Sequence, residues 1–184
     1  MRVCRCSNGL QAASSSPRPV RPSPATSSWC IGRKLRRIAH ARFKLGAIMA
    51  PDHPLAGCER VSLAACFDHP VILPEGDLST VQILAPALAR LSRNVRPIVR
   101  SSSTELMRAL AERGVGLAFQ TRIGLEQSIA GGRLVHVPVE AGGPIWSELG
   151  VYVRSGRALP AIRDLVLRIL VEEIARREPE DPGG

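Results

Sequence analysis

Two groups of hydroxyl side chains are the best candidates for binding chemistry in this sequence. Ser101 to Thr104 form a run of four hydroxyl residues, and Ser79 and Thr80 form a second group. Each group follows an apolar segment with strand character and precedes a helical pattern. A helix N-cap needs only one side-chain oxygen. A run of four therefore favours either a flexible lead-in or a place where a polar ligand is held.

Residues that could form a catalytic site are present but are not arranged as one. None of the four histidines, at positions 40, 53, 69 and 136, has a spacing to Cys, Ser or carboxylate that implies a nucleophile–base pair. His136 lies inside a predicted strand and is interpreted as structural. The sequence RGVG at 113–116 ends a helix instead of opening one, so it is not a phosphate-binding loop. We expect no enzymatic activity and no cofactor.

The cysteines show no metal-binding pattern. The five are Cys4, Cys6, Cys30, Cys58 and Cys66. An odd number without zinc-type pairs is typical of reduced thiols in a cytoplasmic protein. No apolar run has the length of a signal peptide or a membrane span. We therefore expect a soluble, cytoplasmic protein with no bound metal and no membrane partner.

The net charge of +9 is unevenly distributed. Residues 1–50 hold ten of the 25 basic residues and none of the 16 acidic ones, so residues 51–184 carry 15 basic and 16 acidic side chains. Residues 1–34 are also rich in Ser and Pro, which predicts a disordered basic head. An alternative is a basic arm that contacts nucleic acid or acidic lipid.

The segments around the hydroxyl groups alternate between strand and helix patterns. Gly114 is expected to end one helix in the left-handed conformation, and Pro86 either kinks another helix or marks a second start. The alternation favours an α/β fold with mostly parallel strands, in which ligands bind beyond the carboxyl ends of strands. The predicted strands are 43–50, 71–73, 96–101, 116–119, 133–139 and 148–154, and the predicted helices are a turn capped by Ser62, then 78–92, 104–113, 123–132 and 159–178.

Apolar side chains predict which helix faces are buried. In helix 104–113, we expect Leu106, Leu110 and Met107 to be buried. The last helix has Pro160 in its first turn and one continuous apolar face. That face comprises Ile162, Leu165, Val166, Ile169, Leu170 and Ile174.

The order of several segments resembles one protein family. HPLAGCERVSLAACFDHPVILPEG (53–76) and SSSTELMRALAERGVGLAF (101–119) resemble the effector-binding domain of LysR-type transcriptional regulators, and GGRLVHVPV, LGVYVRSGRALP and the closing helix follow in the family's order. The resemblance covers roughly residues 35–178. It implies a type 2 periplasmic-binding-protein-like domain, in which two lobes close on a small, often anionic effector. It also implies assembly into dimers and tetramers.

The resemblance implies a complete second lobe at about 51–145 and only part of the first lobe. Residues 1–34 show no helix-turn-helix pattern, and residues 179–184 read as a disordered tail. We therefore expect an N-terminally truncated chain, with DNA binding only through the missing helix-turn-helix. The head could be a shifted reading frame.

By resemblance, the effector contacts fall on three short segments. Ser103 or Thr104 could instead be a helix cap, worth about 1 kcal/mol. Asp77 could likewise cap the helix that follows it. The family often has proline near the position of Gln120, so this sequence departs from the family's pattern at that contact. The expected effector contacts are Ser102, Ser103, Thr104, Ser79, Thr80, Gln120 and Thr121.

The sequence thus predicts effector sensing within a LysR-type regulator. The alternatives are a solute-binding protein of a transport system and a non-functional gene fragment. In the family, the apolar face of the last helix covers first-lobe strands. Because those strands are missing here, we expect a homo-oligomer or association with a full-length relative.

Overall fold

The structure is a computed structural model that describes residues 35–91, 95–154 and 161–177. The predicted disordered segments and Pro160 lie outside these ranges. The strands are β1 (Leu35–Met49), β2 (Val61–Ser62), β3 (Val71–Pro74), β4 (Val99–Ser101), β5 (Leu117–Thr121), β6 (Val135–Glu140) and β7 (Trp146–Arg154). The helices are α1 (Leu63–Cys66), α2 (Ser79–Ala89), α3 (Thr104–Glu112), α4 (Glu126–Ala130) and α5 (Ala161–Arg177). The predicted alternation of strands and helices is confirmed.

The strands form one mixed sheet in the order β2-β6-β1-β5-β3-β4, with β7 paired to β1. Strand β3 runs parallel to β4 and β5, and β2 runs parallel to β6. Strand β1 runs antiparallel to β5, β6 and β7. The α/β class is confirmed. The expectation of mostly parallel strands is wrong, because the long strand β1 is antiparallel to every strand that it pairs with.

Helices cover both faces of this sheet. Successive residues of a strand point to opposite faces, so β3 contributes to two separate cores. Val71 and Leu73 pack with α1 and α2 on one face. Ile72 packs on the other face with α3 and with Leu125, which precedes α4. The result is a three-layer arrangement that orients α2 and α3 on opposite sides of β3.

Helix α3 corrects one expectation about burial. Met107 and Ala111 are buried against the sheet, whereas Leu106 is 48% exposed. Leu106 is one residue away from Met107, about 100° around the helix, and so faces away from the sheet. Gly114 has φ +69° and follows the last turn of α3, as predicted. Pro86 lies within the continuous helix α2 and does not end it.

Helix α5 contacts β1 but leaves most of its apolar face exposed. Ile174 is half-buried. No helix within the described ranges is long and apolar enough to span a membrane. The exposed apolar side chains, between 45% and 73% accessible, are Ile162, Leu165, Val166, Ile169 and Leu170.

One histidine links strands on both sides of β1. The Nε2 atom of His136 on β6 lies 3.2 Å from the carbonyl oxygen of Gln120 on β5. Because that oxygen only accepts, Nε2 is the donor. The ring crosses β1 at Gly46, where an added Cβ would lie 2.3 Å from Nε2. The interpretation of His136 as a structural residue is confirmed, and Gly46 provides the space for its ring.

We predict that Gly46→Ala destabilises the fold by about 1–3 kcal/mol, because the methyl group displaces the His136 ring. Denaturant unfolding measures the change. Gly57→Ala is the matched control, because nothing lies within 4 Å of a Cβ at Gly57, and it should stay within about 0.5 kcal/mol of the wild type. Equal stability of the two variants would contradict the prediction.

Candidate functional site

The three parallel strands β5, β3 and β4 end at the same level. Pro74 pairs with Ser101 on β4, and Ile72 pairs with Ala118 on β5. Continuing this register by two residues brings Gln120 level with Pro74. The segments that follow these strands therefore meet at one edge of the sheet, here called the carboxyl edge (residues 75–80, 101–104 and 120–121). All seven side chains predicted to contact an effector belong to it.

The chain changes direction at the carboxyl edge between β3 and β4. The chain leaves β3 toward α2 on one face and leaves β4 toward α3 on the other. Adjacent parallel strands whose connections diverge in this way open a crevice that commonly binds ligands. Gly76 and Ser102 face each other there, since an added Cβ at Gly76 would lie 3.6 Å from the Ser102 Cβ.

The run of four hydroxyls divides into structural and accessible members. Ser103 is the N-cap of α3, and its Oγ accepts a hydrogen bond from the Leu106 N–H at 3.2 Å. Ser101 is buried, and its Oγ accepts from the Ser103 N–H at 3.0 Å. Ser102 is exposed and Thr104 is half-buried. These last two are the hydroxyls best able to reach a ligand.

The N-terminus of α2 has no side-chain cap. Leu78 occupies the N-cap position with an extended backbone, and no side chain among the described residues caps the first turn. The expectation that Asp77 caps this helix is wrong, because Asp77 lies one residue before the N-cap. Ser79 is exposed and Thr80 half-buried in the first turn. The first-turn N–H groups of a helix attract anions.

Gln120 adds an unsatisfied polar atom to the carboxyl edge. Its backbone oxygen is held by His136, while its side-chain Oε1 is buried and has no hydrogen-bond partner among the described residues. Thr121, paired with Leu45 of β1, is half-buried. Buried polar atoms are normally paired, so a hydrogen-bond donor from a ligand would satisfy Oε1.

A second polar group lies near the opposite edge and was not predicted from the sequence. The rings of His53 and His69 pack edge to face, with centroids 4.7 Å apart. Burial, followed by the nearby His69 ring, lowers the pKa of His53, while Asp52 opposes this shift. The His53 Nδ1 atom accepts from the Leu55 N–H. The only sequence signal is that a proline follows each histidine.

Neither of the two cysteines within the described residues, Cys58 and Cys66, forms a disulfide, and both are buried. Burial raises the pKa of Cys66 to about 12. A thiol with such a pKa is a poor nucleophile and metal ligand. Nor does the described part of the chain contain a cluster of three or more His, Cys, Asp or Glu side chains able to hold a metal ion.

A family model matches most of the chain. The LysR substrate binding domain matches residues 28–175. No curated protein sequence matches at a significant level.

Three solved structures illustrate the similarity in fold. The effector binding domain of QuiR in complex with shikimate has TM-score 0.56 and 12% identity, over 77% of this chain and 66% of that one. The regulatory domain of CcmR from Synechocystis PCC6803 in complex with 2-PG has TM-score 0.63 and 22% identity, over 78% and 69%. HinK, a LysR family transcriptional regulator from Pseudomonas aeruginosa, has TM-score 0.60 and 19% identity, over 77% and 48%. The chain thus spans about two thirds of the two domains and about half of HinK.

Alanine variants at the two helix starts separate caps from accessible hydroxyls. Ser103→Ala should destabilise the protein by about 0.5–2 kcal/mol, because it removes the cap of α3. Ser79→Ala should change stability by less than about 0.5 kcal/mol, because Ser79 caps nothing. Thermal or denaturant unfolding measures both. The assignment fails if Ser79→Ala destabilises the protein as much as Ser103→Ala does.

Proposed function

The chain belongs to the LysR substrate-binding domain family, and we propose that it is the cytoplasmic effector-sensing domain of a LysR-type transcriptional regulator. It binds a small anionic metabolite and catalyses no reaction. The domain extends over residues 35–178, with its second lobe at about 51–145. Ligand binding alters how the assembled regulator presents its DNA-binding domains.

The observation that carries this proposal is the convergence of the predicted contacts at the carboxyl edge. Ser102 and Thr104 offer hydroxyls on one side of the crevice, and Ser79 and Thr80 offer hydroxyls and first-turn N–H groups on the other. Gln120 and Thr121 extend the edge along β5, with the unpaired Oε1 of Gln120 as an acceptor. Ser103 contributes through the geometry of the α3 N-terminus.

An anionic effector is supported by the uncapped N-terminus of α2. Its free N–H groups and the positive end of the helix dipole favour a carboxylate or phosphate. Small ligands are also supported by two proteins of similar fold, since QuiR is bound to shikimate and CcmR to 2-PG. The exposed carboxylates Glu75 and Asp77 flank the same crevice and would weaken the binding of any anion.

Calorimetric titration of small carboxylates and phosphates, including shikimate and 2-PG, tests the proposal. At least one should bind, and Ser102→Ala should weaken it by about five- to tenfold, the effect of one lost hydrogen bond. Asp77→Asn should strengthen the binding of an anion by about two- to fivefold, because it removes an exposed charge of the same sign.

Ser147→Ala on β7 is the matched control, because Ser147 lies outside the carboxyl edge. It should bind the same ligand as tightly as the wild type. If no member of the panel binds, or if Ser102→Ala and Ser147→Ala bind equally, the proposed site is wrong. If Asp77→Asn weakens the binding of a ligand, the effector is not anionic.

We further propose that the chain forms a homo-oligomer, or associates with a full-length relative, through the exposed apolar face of α5. Light scattering should give a mass above the 19.8 kDa of one chain. Changing both Ile162 and Ile169 to Gln should restore a monomer, because it removes apolar surface that is 73% and 55% exposed. Val115→Gln alters an exposed apolar residue outside α5 and should leave the mass unchanged. A monodisperse wild-type monomer would contradict the homo-oligomer and leave association with a full-length relative as the remaining form of the proposal.

A further inference from the structure

We propose that a cleft between α4 and the end of α5 is a second binding site, for a small phosphate-bearing molecule. The cleft has a volume of about 500 Å³, within the range of small-molecule sites. Arg122, Arg176 and Arg177 line it together with Glu126, Gln127, Ile129 and Ala130. This inference goes beyond the proposed effector site and does not rest on it, because none of these side chains belongs to the carboxyl edge.

Three parts of the chain bring the arginines together. Arg122 directly follows β5, while Arg176 and Arg177 form the last turn of α5. Residues of α4 line the same cleft, and a hydrogen-bonded ion pair joins α4 to α5, with Arg177 Nη1 2.6 Å from Glu126 Oε1. Arg122 and Arg176 are 54 residues apart in sequence, so only the folded chain forms the cleft.

The ion pairs around the cleft leave one guanidinium unneutralised. Glu173 binds both Arg176 and Arg177, at 2.6 and 2.7 Å. Hydrogen bonds from Arg176 and Arg177 lower the pKa of Glu173, so it stays ionised. Arg122 is exposed, and its side chain makes no hydrogen bond or ion pair with any described residue. Among the described residues around the cleft, three arginines face two glutamates, which leaves an excess of positive charge.

Phosphate is the chemistry that this arrangement fits best. A guanidinium presents a planar set of donors that matches two phosphate oxygens at once. Arg122 offers such a set unused, and Gln127 can donate an amide hydrogen bond. Ile129 and Ala130 provide a small apolar surface for the remainder of the ligand. A carboxylate or phosphate must also compete with Glu126 for Arg177, which favours the more highly charged phosphate.

Calorimetric titration of the full chain with inorganic pyrophosphate at low ionic strength tests the site. Arg122→Gln should weaken binding by about tenfold or more, because it removes a charged hydrogen-bond donor. Since the Arg122 side chain has no partner within the described chain, this variant should fold like the wild type, which a thermal unfolding curve verifies. Arg176→Gln should also weaken binding. Added salt should lower the wild-type affinity.

Arg113→Gln is the matched control, because Arg113 is an exposed arginine at the end of α3, outside the cleft. It removes the same charge and should leave affinity nearly unchanged. Equal weakening by Arg113→Gln and Arg122→Gln would overturn the proposal in favour of general charge attraction. No binding by the wild type would overturn it as well.

Three variants distinguish the cleft from other charged surface residues and from the carboxyl edge. Glu126→Gln removes one of the two carboxylates that bind Arg177 and should tighten pyrophosphate binding more than Glu105→Gln, which makes the same charge change on α3. The reverse order would overturn the site. Ser102→Ala should leave pyrophosphate binding unchanged, so the two proposals can fail separately. If vesicles with phosphatidic acid bind through Arg122 while pyrophosphate does not, the partner is a lipid surface and the proposal is wrong.

Discussion

The fold depends on the backbone hydrogen bonds of β1, which join three other strands. The first part of β1 pairs with β7, and its last part pairs with β5 on one side and β6 on the other. Both faces of this last part are buried, because Leu45 and Ala47 belong to one core and Ile48 to the other. The position of β5, and therefore of Gln120 and Thr121, follows from this pairing. Gly46 completes it by leaving space for the His136 ring.

The carboxyl edge shows how one residue type serves two purposes. Ser101 and Ser103 satisfy backbone N–H groups and fix the start of α3, while Ser102 lies between them and is exposed. The side chains of successive residues point in different directions, so neighbours in one short segment divide structural and accessible roles. At α2 the same edge keeps N–H groups that no side chain satisfies. The two helix starts are therefore chemically unequal, although their sequences look alike.

Local sequence signals predicted much of this structure. The Ser62 cap, the left-handed Gly114 and the strand–helix order depend on contacts within a few residues, and each is confirmed. The direction of β1, the exposure of Leu106 and the His136–Gly46 contact depend on residues distant in the chain, which no short pattern encodes. The same holds for the site. The sequence located the hydroxyl groups, but only the hydrogen bonds distinguish Ser103 as the cap and leave Gln120 Oε1 unpaired.

The alternation of buried and outward-facing side chains along β1 limits how a movement at one end of the strand can affect the other end. Ala41, Phe43 and Leu45 are buried on one face, and a shift of one residue along β7 or β5 would turn all of them outward. Sliding is therefore blocked, and the strand can only bend or twist. The irregularity between Arg37 and Ala39 gives it a natural point of bending. Strand β1 can therefore rotate about this irregularity but cannot slide along its neighbours. A displacement at Thr121 would reach the paired ends of β1 and β7 as a rotation.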